Sequence, residues 1–159
     1  MKGEPTPRII VAGPGEWREV VAGRLRRDKR FSVVAEIEAD FNSVEIARVP
    51  AADILVTTVD PVFTSPATKL AVALQKKFHA LAVVVVLPDM HADELTTLVP
   101  YRSVWSVLSA KACEDADIFL SAVWSASRGI TWVDPAMHRL LNDVHALSSR
   151  RSTPVPGFE

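Results

Sequence analysis

The chain has 159 residues, 48% of them hydrophobic, with 18 Lys and Arg against 19 Asp and Glu. That is the length of one domain with enough apolar content for a substantial core, and its charge balance leaves no cationic surplus to hold a nucleic-acid backbone. A single cysteine, Cys113, excludes an internal disulfide and a thiolate metal cage, the first residues form no signal peptide, and no apolar run reaches membrane-spanning length. The expectation is a soluble cytoplasmic protein without direct nucleic-acid or membrane binding.

Residues 1–7 read as an N-terminal tail. The first apolar run, Ile9 to Ala12, opens onto Gly13, Pro14 and Gly15, and EWREVVAGRLRR then places Trp17, Val20, Val21 and Leu25 on one helical face. SVVAEI (Ser32 to Ile37) is the second run, followed by a weaker helix over Ala39 to Arg48. DILV (Asp53 to Val56) precedes SPATKLAVALQKKF, whose Leu70, Ala73, Leu74 and Phe78 form another apolar face. LAVVVVL (Leu81 to Leu87), a weak helix over Ala92 to Val99, VWSVL (Val104 to Leu108) and a helix over Glu114 to Ser127 complete the alternation. Continuous apolar runs mark strands buried on both faces, so the pattern predicts a flavodoxin-like, doubly wound parallel sheet of five strands with helices on both faces. Sites in such sheets lie at the carboxyl ends of the strands.

This domain is predicted over 8–130. A further helix is predicted over 131–148, with Asp134 as its N-cap and Pro135 where a helix tolerates proline best. Its stripe of Met137, Leu140, Leu141, Val144 and Leu147 must face another surface. Residues 149–159, rich in Ser, Arg and Pro, read as a flexible tail or a linker to a further domain.

The Gly-Pro-Gly turn is not a dinucleotide fingerprint, since the third glycine's position holds Arg18, and it lacks the lysine and hydroxyl of a phosphate loop. No cofactor is expected. Gly13 and Gly15 would still allow close backbone approach by a neutral or anionic small molecule. The histidines form no site, because His138 and His145 sit two turns apart, and Asp89, His91, Asp93 and Glu94 read as helix capping. Arg24, Arg26, Arg27, Lys29 and Arg30 favour the carboxyl end of the first helix. Pro100 should end the preceding helix early and leave an irregular face carrying Tyr101, Arg102 and Trp105, residue types favoured at interfaces. Local packing variation is the alternative, and Trp105 and Trp124 are each read as core or interface.

The stretch AVWSASRGITWVDPAMHRLL, with VVAEIEAD and ADILV, resembles the receiver domains of bacterial response regulators in two-component systems, specifically the NarL/FixJ branch. The resemblance runs from Arg8 to about Leu141. It implies a phospho-accepting aspartate after strand three, two acidic residues after strand one that hold magnesium, a Thr or Ser after strand four and a lysine after strand five. In this sequence the acidic pair falls on Gly13 and Pro14, the acceptor on Thr58 and the hydroxyl on Pro88. The lysine falls on Ser109 or Ala110, or on Lys111 if one residue is inserted. Asp60 is a less favoured acceptor under a slipped alignment and reads as a turn residue before Pro61.

Magnesium wants carboxylate and water oxygens in octahedral array, so no metal site is expected. A threonine hydroxyl without a base does not replace the aspartate. The expected function is therefore that of an atypical, phosphorylation-independent, non-enzymatic receiver. It would act in transcriptional regulation through a homodimer, another protein partner or a fused helix-turn-helix output domain. The alternatives are a localisation or scaffold module, like the receiver-like segment ahead of certain pilus-associated ATPases, and a small-ligand-sensing pseudo-receiver.

Overall fold

A computed structural model describes residues 6–38, 48–58, 66–87 and 104–133, together with 135, 139, 142 and 143 in the segment that follows. Five strands, β1 (Arg8–Ala12), β2 (Ser32–Ile37), β3 (Ile54–Thr58), β4 (Ala82–Leu87) and β5 (Ser106–Ser109), form one sheet in the order β2-β1-β3-β4-β5. Every pairing is parallel. The helices between them are α1 (Gly15–Arg27), α2 (Pro66–Lys77), a short α3 (Ala110–Glu114) and α4 (Ala116–Ser127).

The apolar runs predict this sheet because residues alternate between two buried faces. Ile10, Leu55, Val83, Val85 and Val107 join Leu70, Ala71 and Leu74 of α2 on one side. Ile9, Val11, Ile54, Val56, Val84 and Leu108 join Val21, Ala22 and Leu25 of α1 and Phe119, Ala122 and Val123 of α4 on the other. Two clusters on opposite faces make the doubly wound architecture, and the chain reverses its direction of travel across the sheet between β1 and β3. Loops at that switch point are where a site belongs.

Several boundaries differ from expectation. The strand predicted over Asp53 to Val56 extends to Thr58, and the one predicted over Val104 to Leu108 occupies Ser106–Ser109. The helix predicted over Glu114 to Ser127 is broken at Asp115, whose extended backbone lets its carboxylate accept from the amides of Asp117 and Ile118 at 3.0 and 3.2 Å. Val20, predicted to face the core, is half exposed because α1 buries Val21, Ala22 and Leu25 instead. The helix predicted over Ala92 to Val99 and most of that over Ala39 to Arg48 fall outside the described residues.

Gly129, in the left-handed region at φ 78°, ends α4, and its amide bonds the carbonyl of Ala126 at 3.0 Å. The chain then returns along β5. The Val107 amide donates to the Trp132 carbonyl at 3.0 Å, the Trp132 amide donates to Ser106 Oγ at 2.9 Å, and Val107 bridges Val133 in parallel. Trp132 packs on one core cluster and Val133 on the other, so both belong to the domain and close part of the β5 edge. Residues 131–133 are therefore non-helical and packed against the sheet. Pro135, Arg139, Asn142 and Asp143 are helical and exposed, on the face opposite the predicted apolar stripe. Met137, Leu140, Leu141, Val144 and Leu147 lie outside the described residues.

Trp105 is a correction to the interface expectation. It is 1% exposed within this chain, inside the α2-side cluster, and its indole Nε1 donates to Gln75 Oε1 at 3.3 Å. Its size and single polar handle serve the core, so it offers a partner no surface. Tyr101 and Arg102 lie outside the described residues.

Candidate functional site

The β1 and β3 register pairs Ala12 with Thr57, and one step further brings Gly13 beside Thr58 at the carboxyl ends of neighbouring strands. Gly13 is buried. Its amide donates to the Ile37 carbonyl at 3.1 Å, continuing the β1–β2 ladder, and its own carbonyl accepts from Arg18 Nη1 at 3.1 Å. Pro14 caps α1 with backbone alone: its carbonyl accepts from the Arg18 amide at 2.8 Å and no side chain caps the helix. Glu36 on β2 sits close by, 2.6 Å from Arg26 Nη2 and 3.8 Å from Arg18 Nε. The turn where the resemblance implies an acidic pair thus carries a guanidinium bonded to its carbonyl.

Thr58 is 4% exposed, and its hydroxyl donates to the Val86 carbonyl on β4 at 2.8 Å. That bond spends the proton a nucleophile would release and ties β3 to β4. Thr57 points to the opposite face of the strand, where its hydroxyl is buried with no hydrogen-bond partner. At the end of β5, Ser109 Oγ accepts from the Ala112 amide at 3.1 Å as the cap of α3, and Lys111 is exposed on that helix. Pro88 and Asp60 lie outside the described residues.

Trp17 is the residue that sequence reasoning placed in the core and the structure places at the site. A Cβ built on Gly13 would lie 2.6 Å from Trp17 Cε3, 2.8 Å from Cζ3 and 3.2 Å from Thr58 Cγ2, so the indole lies directly against the glycine. The same ring borders a cleft of about 160 Å³ with Val20, Val21, Arg24, Val86 and Cys113. Arg24 crosses its rim to donate to the carbonyl of Cys113. Burial pushes the Cys113 thiol above its ordinary range, the opposite of what a reactive cysteine needs. The one available hint of the Trp17 contact was its place four residues after Gly13, in the first turn of the helix that follows the strand.

The chemistry of this donor set does not fit magnesium. Gly13, Pro14 and Thr58 supply no carboxylate, the Gly13 carbonyl already accepts from a cation, and among the described residues no three His, Cys, Asp or Glu side chains converge.

The sheet order and the helices on both faces define a flavodoxin-like fold. No family model and no curated protein matches the sequence. Among solved structures, the chain is similar to RcsB in two dimers bound to two parallel DNAs, at 15% identity and TM-score 0.69, covering 89% of this chain and 70% of that one. It is also similar to the isolated REC domain of RcsB from Salmonella enterica serovar Typhimurium in the apo form, at 14% identity and TM-score 0.66, covering 86% and 98%. RcsB of the same organism bound to promoter P1flhDC with phosphomimetic BeF3- is similar at 17% identity and TM-score 0.68, covering 94% and 73%. At these identities the likeness shows the fold. Among the described residues, no helix is long and apolar enough to cross a membrane.

Proposed function

We propose that the chain is a receiver-like signalling domain that works without aspartyl phosphorylation, pairing with a second copy of itself in transcriptional regulation. The observation that carries this reading is the strand-end pocket. Where a receiver would hold carboxylates and metal, Gly13 is bonded through its carbonyl to Arg18 and covered by Trp17, and Thr58 spends its hydroxyl on Val86. Among the described residues, a phosphoryl donor would meet no carboxylate at Gly13, Pro14 or Thr58, so no catalytic step is assigned to the chain.

The dimer part of the reading is supported by likeness to RcsB, whose solved structures include dimers on DNA, and by the predicted stripe at Met137, Leu140, Leu141, Val144 and Leu147. A helix-turn-helix output domain joined beyond the last helix, and a cytoplasmic location, belong to the same proposal. Direct nucleic-acid contact would then fall to the output domain, as the chain's balanced charge suggests. Light scattering at micromolar concentration tests it. The expected result is a dimer whose mass is the same with and without acetyl phosphate and magnesium, and which Leu140→Glu converts to a folded monomer. A monomer for the unmutated chain, or a dimer that forms only with acetyl phosphate, would refute the reading.

A further inference from the structure

We infer that Trp17 is an internal occupant of the degenerate pocket: its indole takes the space that a side chain at position 13 would need, so the ring and a metal-binding carboxylate there exclude each other. This inference deepens the reading of the site as a degenerate phosphorylation pocket and rests on it.

The steric case has three parts. First, a Cβ on Gly13 would stand 2.6 and 2.8 Å from two indole carbons, closer than carbon atoms approach without one of them moving. Second, the backbone of Gly13 is tied in place by two hydrogen bonds, its amide donating to Ile37 and its carbonyl accepting from Arg18. Third, the indole is half buried and packs on the α1-side core cluster. Thr58 Cγ2 would lie 3.2 Å from the same Cβ position. Glycine is required at position 13 for room and not for torsion, since among the described residues only Gly129 has a positive φ.

Loss of the acid and gain of the ring are therefore a coupled change. Among the described residues, the end of β1 carries an aromatic contact from its own helix at a position where a receiver has a carboxylate. Replacing the missing acids is not enough to make the site bind metal. The indole must leave too.

The test uses the full chain in two backgrounds, with Trp17 and with Trp17→Ala. In the first measurement, Gly13→Ala is introduced into each and thermal unfolding is recorded. The expected result is a fall of roughly 5 °C in the presence of the indole, the scale of overpacking a core site, and a much smaller change in its absence. In the second, Gly13→Asp, Pro14→Asp and Thr58→Asp are combined in each background and titrated with magnesium chloride by calorimetry. Binding is expected to be at least tenfold tighter in the background lacking the indole than with Trp17 in place.

Equal tolerance of Gly13→Ala in both backgrounds overturns the inference, as does magnesium binding of equal strength with and without Trp17. If Gly13→Ala is coupled to Trp17 but the acid-restored chain binds no magnesium in either background, the steric exclusion stands. The reading of the pocket as a degenerate phosphorylation site is then what fails. Should the acid-restored chains not fold, the unfolding comparison alone decides the steric exclusion.

Discussion

Replacing Trp105 by alanine separates its role in the core from a role at an interface, and the structure sets the size of the effect. The side chain is 1% exposed, among the largest fully buried groups in the chain, and it lies in the cluster formed with Leu70, Leu74, Val85 and Val107. Deleting a buried Trp removes its transfer free energy and leaves a cavity, together costing about 3–5 kcal/mol. The change also strands Gln75 Oε1, which accepts from the indole at 3.3 Å. For a domain of this size that corresponds to a fall in Tm of roughly 6–20 °C. Thermal unfolding followed by circular dichroism measures it, and light scattering below the new Tm reports the oligomeric state. The expected outcome is a large loss of stability with the assembly state of the folded fraction unchanged. A Trp105→Ala chain of unaltered Tm that has lost self-association would refute the burial argument and restore Trp105 to an interface.

Thr57→Val should raise stability by about 1 kcal/mol, because the hydroxyl is buried without a partner and valine keeps its shape; an unchanged or lowered Tm would mean that the hydroxyl is satisfied. Among the described residues, two carboxylates contribute to the acid side of the stability curve: Asp28, held below its ordinary range chiefly by the side-chain hydrogen bond from Arg30, and Asp53, held down in the same way by Arg8. With folded values below unfolded ones, their contribution is complete above the unfolded pKa of about 4 and is lost as pH falls through the folded values. Tm should therefore drop on acidification from about pH 5 to about pH 3, and the drop should be shallower in Asp28→Asn, as thermal unfolding across that range would record.

The parallel sheet was legible because β1, β3 and β4 are buried on both faces and read as unbroken apolar runs. The break before α4 was harder to read, since a single Asp115 with helix formers on both sides signals a cap only when its backbone is seen to be extended. Trp105 was read as core or interface because Tyr101, Arg102 and Trp105 share an interface-like composition; it stands just before β5, and its packing with Val107 on the α2 side is set by tertiary contacts that composition does not encode. The pairing of Trp132 and Val133 with β5 is a contact across about 25 residues that no local pattern encodes.

The site was legible in what it lacks and not in what fills it. Gly13, Pro14 and Thr58 could be placed by counting from neighbouring residues, and their missing carboxylates followed at once. The ring on Gly13, the Arg18 guanidinium on its carbonyl and the Thr58 hydroxyl on Val86 depend on rotamers and on how α1 lies over the strand ends. Those contacts occupy the described strand ends at Gly13 and Thr58.

The central claim is that this pocket accepts no phosphate, and intact mass spectrometry after incubation with acetyl phosphate and magnesium tests it most directly. The account predicts a single species at the unmodified mass under conditions that label a competent receiver. A phosphate-sized adduct that disappears in Thr58→Ala or Asp60→Asn would contradict it.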